Sequence, residues 1–150
     1  MAKIGELEVG SIKFEDGALA KYFSTTGGSH SGGSYSAITR TISGGNDRPA
    51  EVHCRATYHY QSSVGGGSAT FLARLRRNRG GTYTTFMEYT QAWGGSTTRD
   101  ATLNWSVVDT DSQDGDIWYF EVAINPQDAA GGTLVVYWNA RELAVKVSRF

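Results

Sequence analysis

An alternation of period two constrains this chain more than any other feature. Over residues 51–61, Val52, Cys54, Ala56, Tyr58 and Tyr60 alternate with His53, Arg55, Thr57, His59 and Gln61. Successive side chains of a strand point to opposite faces. The pattern therefore predicts a half-buried antiparallel strand, one face in a core and one in water. Runs at 68–77 and 83–91 are joined by Asn78-Arg79-Gly80-Gly81, a hairpin-type connection. Residues 101–108, 117–124, 133–138 and 143–149 supply four more strands. The segments DTDSQDGD, NPQDAAGG and NARE between them carry Gly, Asp, Asn or Pro for turns. No stretch of ten or more residues repeats at helical spacing with caps, so helix content is expected to be minor.

Composition agrees. Charged residues make up 19% of the 150 residues and 19 positions are Gly, which excludes a coiled coil, a helical bundle and a disordered tail. No apolar run approaches the roughly 20 residues that cross a bilayer as a helix. The N-terminal MAKIGELEVGS lacks the apolar centre of a secretory signal. The single cysteine, Cys54, cannot form an internal disulfide, so folding in a cytoplasm is expected. A formal charge of −1 removes any global argument for nucleic acid or an acidic membrane.

The first fifty residues are less regular. Ile4, Leu7, Val9, Ile12 and Phe14 suggest two short strands broken at Gly5 and Gly10, followed by ALAKYF at 18–23. STTGGSHSGGS at 24–34 reads as a flexible loop or the hinge of an arm. Tyr35, Ile38 and Ile42 mark a further strand before a turn at 44–49. The expectation is an N-terminal arm and Gly/Ser hinge over 1–33 and a sandwich domain over 34–150. Its fold class is an all-β, jelly-roll-like antiparallel β-sandwich of eight to ten strands. A closed barrel is the second choice.

Charge is unevenly spread. Residues 51–100 hold six basic and three acidic side chains, and 101–150 hold three basic and seven acidic. A basic hairpin facing an acidic loop on a neighbouring copy would suit a symmetric oligomer, and two solvated loops would serve as well.

Several residues invite a chemical reading. Asp109 to Asp116 approaches a calcium loop in its alternating oxygens, but Gly115 stands seventh rather than sixth and no Glu is twelfth. A solvated turn is the default expectation there, with Asp111 and Asp114 as possible partner contacts. Arg74, Arg76, Arg77 and Arg79 lack the wider basic field of a nucleic-acid site. Arg74 and Arg76 share a strand face, where Arg stems cover the sheet or form intersubunit ion pairs. His53 and His59 lie roughly 20 Å apart along an extended strand and cannot share a metal. His30, the third imidazole, adds no ligand spacing, so neither metal nor cofactor is expected. There is no Gly-x-Ser-x-Gly elbow, and Cys54 falls on an apolar face where a thiol is inert. No enzyme is expected. Trp105, Trp118 and Trp138 sit within strands and should pack. Trp93, in a Gly-rich stretch ending at Arg99, is a candidate for stacking on a sugar or anchoring a partner, or for closing one end of the sandwich.

The last hundred residues run EVHCRATYHY, ATFLARLRRN, FMEYTQAW, ATLNWSVVDT, IWYFEVAI and GGTLVVYWNARELAVKV. This order resembles small β-domains in structural proteins of tailed bacteriophages, found as fibre tips and head decorations. Their sandwich is similar to the C1q/TNF-like trimeric jelly roll. In that pattern Val108-Asp109-Thr110 ends a strand and opens a variable polar loop, and the arginine after Asn139 precedes the final buried strand. The family has a plain polar turn where this chain has its acidic loop. The resemblance implies a homotrimer with one sheet toward the threefold axis, no catalytic residues and no cofactor. The first fifty residues have no counterpart in it.

With only about 30 residues before the sandwich, the chain suits a capsid decoration (cement) protein better than a tail fibre, which needs an attachment module and shaft. The expected place is the virion capsid surface after assembly in the host cytoplasm. The expected partner is the major capsid protein or another virion protein, not nucleic acid or membrane. Ile4, Leu7, Val9, Ile12 and Phe14, with Arg74 and Arg76, are the expected intersubunit contacts. The alternatives are a receptor-binding fibre tip that holds host glycan, and a carbohydrate-binding module.

Overall fold

A computed structural model describes residues 20–44, 47–127 and 131–148 of the chain. Eight strands follow one another: β1 (Ala20–Gly27), β2 (Ser36–Thr41), β3 (Arg48–Ser62), β4 (Ser68–Arg79), β5 (Thr82–Gly94), β6 (Thr98–Ser112), β7 (Ile117–Gln127) and β8 (Leu134–Ser148). They form two antiparallel sheets, β1-β8-β3-β6 and β2-β7-β4-β5. The pairs 1·8, 3·6, 2·7 and 4·5 are nested around the β4–β5 turn. A long hairpin folded at that turn and rolled so that alternate pairs enter opposite sheets gives this order, which is the jelly roll. The expected all-β sandwich is therefore the observed one.

The turn itself requires glycine. Gly80 and Gly81 have φ of 58° and 88°, the left-handed values a two-residue hairpin turn needs to match strand twist. Asn78 Oδ1 accepts the Gly81 N–H at 2.9 Å and closes it. In β3 the alternation holds along the strand: Val52, Cys54, Ala56, Tyr58 and Tyr60 are all buried. They meet Ala69, Phe71, Ala73 and Leu75 of β4 and the inward row of β7, Trp118, Phe120, Val122 and Ile124. Removing the larger of these side chains, such as Val52, Phe71, Leu75 and Ile124, from water stabilises the fold by roughly 1.5–3 kcal/mol each. Burial also pushes the Cys54 thiol up to about 12.

Two expectations about the chain's path change. The strands expected at 133–138 and 143–149 are one strand, β8, and NARE between them is a bulge. Ala140 has φ of 47°, and pairing with β3 shifts between Arg55 and Thr57. One extra residue reverses side-chain parity. Trp138 faces the core before the bulge, and Arg141, Leu143, Val145 and Val147 face it afterwards.

The segment 24–34 is not a free hinge. Residues to Gly27 belong to β1, which pairs with β8 along its full length. His30 exchanges two backbone bonds with Trp138, and Gly32 accepts from Ile124. Arg141, turned inward by the bulge, donates to the carbonyls of Gly28 at 2.9 Å and Ser36 at 3.1 Å. Its burial lowers the guanidinium pKa. The sandwich thus includes residues placed in the expected arm. The contacts expected for Ile4, Leu7, Val9, Ile12 and Phe14 lie outside the described residues.

Candidate interaction surfaces

The connections alternate between two ends of the sandwich. One end gathers the β2–β3 connection, the β4–β5 turn and the β6–β7 loop. The other gathers the β1–β2, β3–β4, β5–β6 and β7–β8 connections.

The first end is charged and internally paired. Arg77 donates to Asp109 at 2.7 Å, an ion pair that crosses from one sheet to the other. Arg79 holds Asp116 through two donors at 2.8 Å and reaches Asp111 at 3.3 Å. Asp116 also accepts the Gln113 N–H, and Asp111 accepts from the Gln113 amide. That amide and the Arg79 guanidinium hold the Asp111 carboxyl below its ordinary range. Gly44 N–H donates to Asp114 at 2.7 Å.

The basic hairpin and the acidic loop therefore neutralise one another within a single chain. Neither solvated loops nor an intermolecular pairing is required. The physical reason is the nested topology, which brings the β4–β5 turn and the β6–β7 loop to the same end. Asp109 and Asp116 are buried, so the expected solvated turn is instead a structural clasp. Among the described residues, no group of three or more His, Cys, Asp or Glu is arranged to hold a metal ion.

The opposite end is built from small and hydroxyl-bearing residues. Gln61, Ser62, Ser63, Ser96, Thr97, Thr98 and Thr133 line a crevice of about 300 Å³. The Tyr60 hydroxyl lies 2.8 Å from the carbonyls of both Gly67 and Gly95. Backbone bonds from Ser62 to Thr97 and from Ser63 to Thr133 tie the loops together.

Trp93 lies near this end but is half-buried, with its ring stacked on Tyr58 at 4.8 Å and set edge-on to Phe71 at 5.5 Å. One face of the indole is committed to the core, so the sandwich-closing reading describes its packing. Arg99 is exposed at the start of β6. Asp111 and Asp114 sit at the other end of that strand. The 12 positions from Arg99 to Asp111 span about 40 Å at strand rise, so these four residues do not form one site.

Arg74 and Arg76 face outward from the β2-β7-β4-β5 sheet, as the alternation predicts. They converge on Glu121 of β7, at 3.0 and 2.5 Å. Their guanidinium carbons stand over the rings of Tyr35 at 3.8 Å and Tyr83 at 4.0 Å. Glu121 is only 5% exposed although it points out of the sandwich, because the two Arg planes cover it. Both rings remain partly exposed. The arginines are satisfied within their own chain, and what they offer a neighbour is a rigid Tyr–Arg surface. Glu121 was not singled out from the sequence. The available signal is a lone carboxylate inside the apolar run IWYFEVAI, of the parity that faces away from the core.

His53 and His59 also share an outer face, and His59 bonds Asp100 at 2.7 Å while stacking on Tyr137 at 4.9 Å.

No protein-family model matches the sequence, and no curated protein matches it significantly. Solved structures match by fold. A chain in the structure of infectious bursal disease virus Gx strain aligns with TM-score 0.57 at 14% identity, over 86% of this chain and 32% of that one. A chain of the VP2 subviral particle of infectious bursal disease virus aligns with TM-score 0.49 at 16% identity, over 86% and 33%. A family 16 carbohydrate binding module aligns at 0.21 and 9% identity, over 78% and 70%, too loosely to bear on the fold. The viral neighbours are chains in structures of infectious bursal disease virus and of its VP2 subviral particle. This chain spans about a third of their length, and at such identities the likeness is one of fold.

Proposed function

We propose that this protein is a virion structural component, and more specifically a homotrimeric decoration (cement) protein on the head of a tailed bacteriophage. The observation that carries the reading is the nested order β1-β8-β3-β6 over β2-β7-β4-β5, an architecture shared with the viral chain at TM-score 0.57. The outer face around Arg74, Arg76, Tyr35 and Tyr83 supports it further. Tyr and Arg dominate the energetic centres of protein interfaces, and these side chains are already held in place by Glu121 and by stacking. Their ordering entropy is spent in the free protein, which favours binding.

The mechanism is mechanical. A protein that binds only the assembled shell stabilises that shell by mass action, without chemistry. The partner is the major capsid protein, the place of action is the capsid surface, and assembly is in the host cytoplasm.

Stripped phage heads incubated with the purified protein should take it up in fixed stoichiometry and resist heat better afterwards. Light scattering should give three times the chain mass. A monomer that leaves heads untouched would overturn the reading. The glycan-binding alternatives rest on the hydroxyl-lined crevice at the small-residue end. Adsorption to host cells without uptake by heads would favour them.

A further inference from the structure

Among the described residues four strands stand at the edges of the two sheets with no further strand beside them: β1 and β6 in one, β2 and β5 in the other. A free edge presents unpaired N–H and C=O groups to any strand that meets it. Natural folds blunt such edges with shortness, charge, proline or a bulge. Three of the four are blunted here. β2 has six residues, and β1 has eight with Lys21 near its start. β5 is broken by an irregularity opposite Leu75 and Arg76 and carries Glu88.

β6 is different. It has 15 residues, and its register against β3 is unbroken from Thr98 to Asp109, its one irregularity and its charges being confined to its two ends. Its central run 101–108, ATLNWSVV, contains no charge, proline or glycine. On its outer face Val108 is 57% exposed.

The geometry points to β6 as a seam with a second copy of this chain. Two β6 strands pair antiparallel about a twofold axis at Trp105 and join two four-stranded sheets into one of eight strands. A twofold contact uses the same patch on both copies, and an uncharged strand centred on its own axis is complementary to itself. In this register residue 102 stands opposite 108, so the exposed Val108 meets Thr102, a β-branched pair of the kind that stabilises neighbouring strands. The ends agree as well. Arg99 makes no ion pair among the described residues, and its long side chain comes within reach of Asp111 at the irregular end of the other copy's β6, whose carboxylate is 61% exposed beside Arg79. The contact occurs twice by symmetry.

The seam stands independently of the threefold axis. If the proposed trimer also holds, twofold seams link trimers into a net, the geometry by which a decoration layer spreads over a shell.

Sedimentation over a concentration series tests it. The protein should associate in even multiples of its smallest unit. Arg99→Asp and Asp111→Arg should each weaken that step by on the order of tenfold, the effect of losing two exposed ion pairs. The double variant R99D/D111R should recover it, since each new Asp meets a new Arg. Circular dichroism checks the fold of every variant, and Arg99 has no ion pair of its own whose loss would disturb it. Independently, the double variant T102C/V108C should give a disulfide-linked dimer on oxidation, whereas D100C/V108C, two positions out of register, should not. Absence of both charge rescue and the 102–108 cross-link would overturn the seam. A mass that is not a multiple of three would overturn the trimer and leave the seam standing.

Discussion

The two ends of the sandwich solve one problem by different means. Both must tie one sheet to the other where the strands run out. At the β4–β5 end this is done with buried carboxylates: Asp109 holds Arg77 and Asp116 holds Arg79. At the opposite end it is done with backbone bonds and a single phenol, Tyr60, among Gly, Ser and Thr loops. An ion pair closed over buried acids is intolerant of losing one member, because the other is left charged and desolvated. Loops held by backbone bonds tolerate side-chain change, because the bonds survive it. The comparison identifies the hydroxyl-lined end as the one free to vary for recognition and the charged end as the one that holds shape.

Removing the clasp tests this most severely. Asp116→Ala deprives the Gln113 N–H of its acceptor and leaves Arg79 only Asp111. Urea unfolding should show a loss of about 3 kcal/mol, at the low end for a broken buried pair because Arg79 keeps Asp111 and can still reach water. A loss under about 1 kcal/mol would place this end on a par with ordinary surface ion pairs and dissolve the contrast.

Tyr60→Phe is the matched change at the other end. It removes one buried hydroxyl and should cost about 1–2 kcal/mol in the same assay. A third comparison uses acid. The folded-state pKa of Asp111 is depressed by Gln113 and Arg79, so its contribution is present above the unfolded carboxylate range near pH 4 and lost as pH falls through the lower folded value. The protection factor of the Gly115 amide, in the same loop as Asp111, should therefore fall on acidification before any change at Gly67 and Gly95. Simultaneous loss of protection would mean that the ends are not independent. The smallest effect is expected for Ser96→Ala, within about 0.5 kcal/mol of the parent protein. A larger cost would show that the crevice side chains also carry structure.

Much of this architecture was legible because a sheet buried on one face writes its period into the chain. β3 to β7 follow the alternation, and the Gly80-Gly81 turn was visible as a hairpin. The sequence of β8 reads as two strands, since the bulge at Ala140 shifts the apolar parity from Trp138 to Leu143 and makes NARE resemble a turn. Nor could the pairing of the Arg74–Arg79 cluster with Glu121 and the acidic loop be read from charge blocks alone. Their proximity depends on the nesting of strands, which joins residues 32 to 47 positions apart and which local pattern does not encode. Trp93 carries a similar lesson, because a Gly-rich context signals a loop nearby but not which face of the indole the core will take.

The order in which strands leave the ribosome is not the order in which they can be seated. β7 and β8 come last in the chain, yet they lie inside their sheets, between β2 and β4 and between β1 and β3. Without them β1 and β2 have no strand to pair with. The nascent chain can close only the β4–β5 hairpin and the β3–β6 ladder before β7 and β8 are made. Pairing of Ala20 with Ser148 then closes a loop of nearly the whole described length, a high-contact-order step that folds on the millisecond-to-second scale. Until then the uncharged run of β6 is open to other chains, so dilution or a holding chaperone during synthesis should govern how much protein reaches the assembled state.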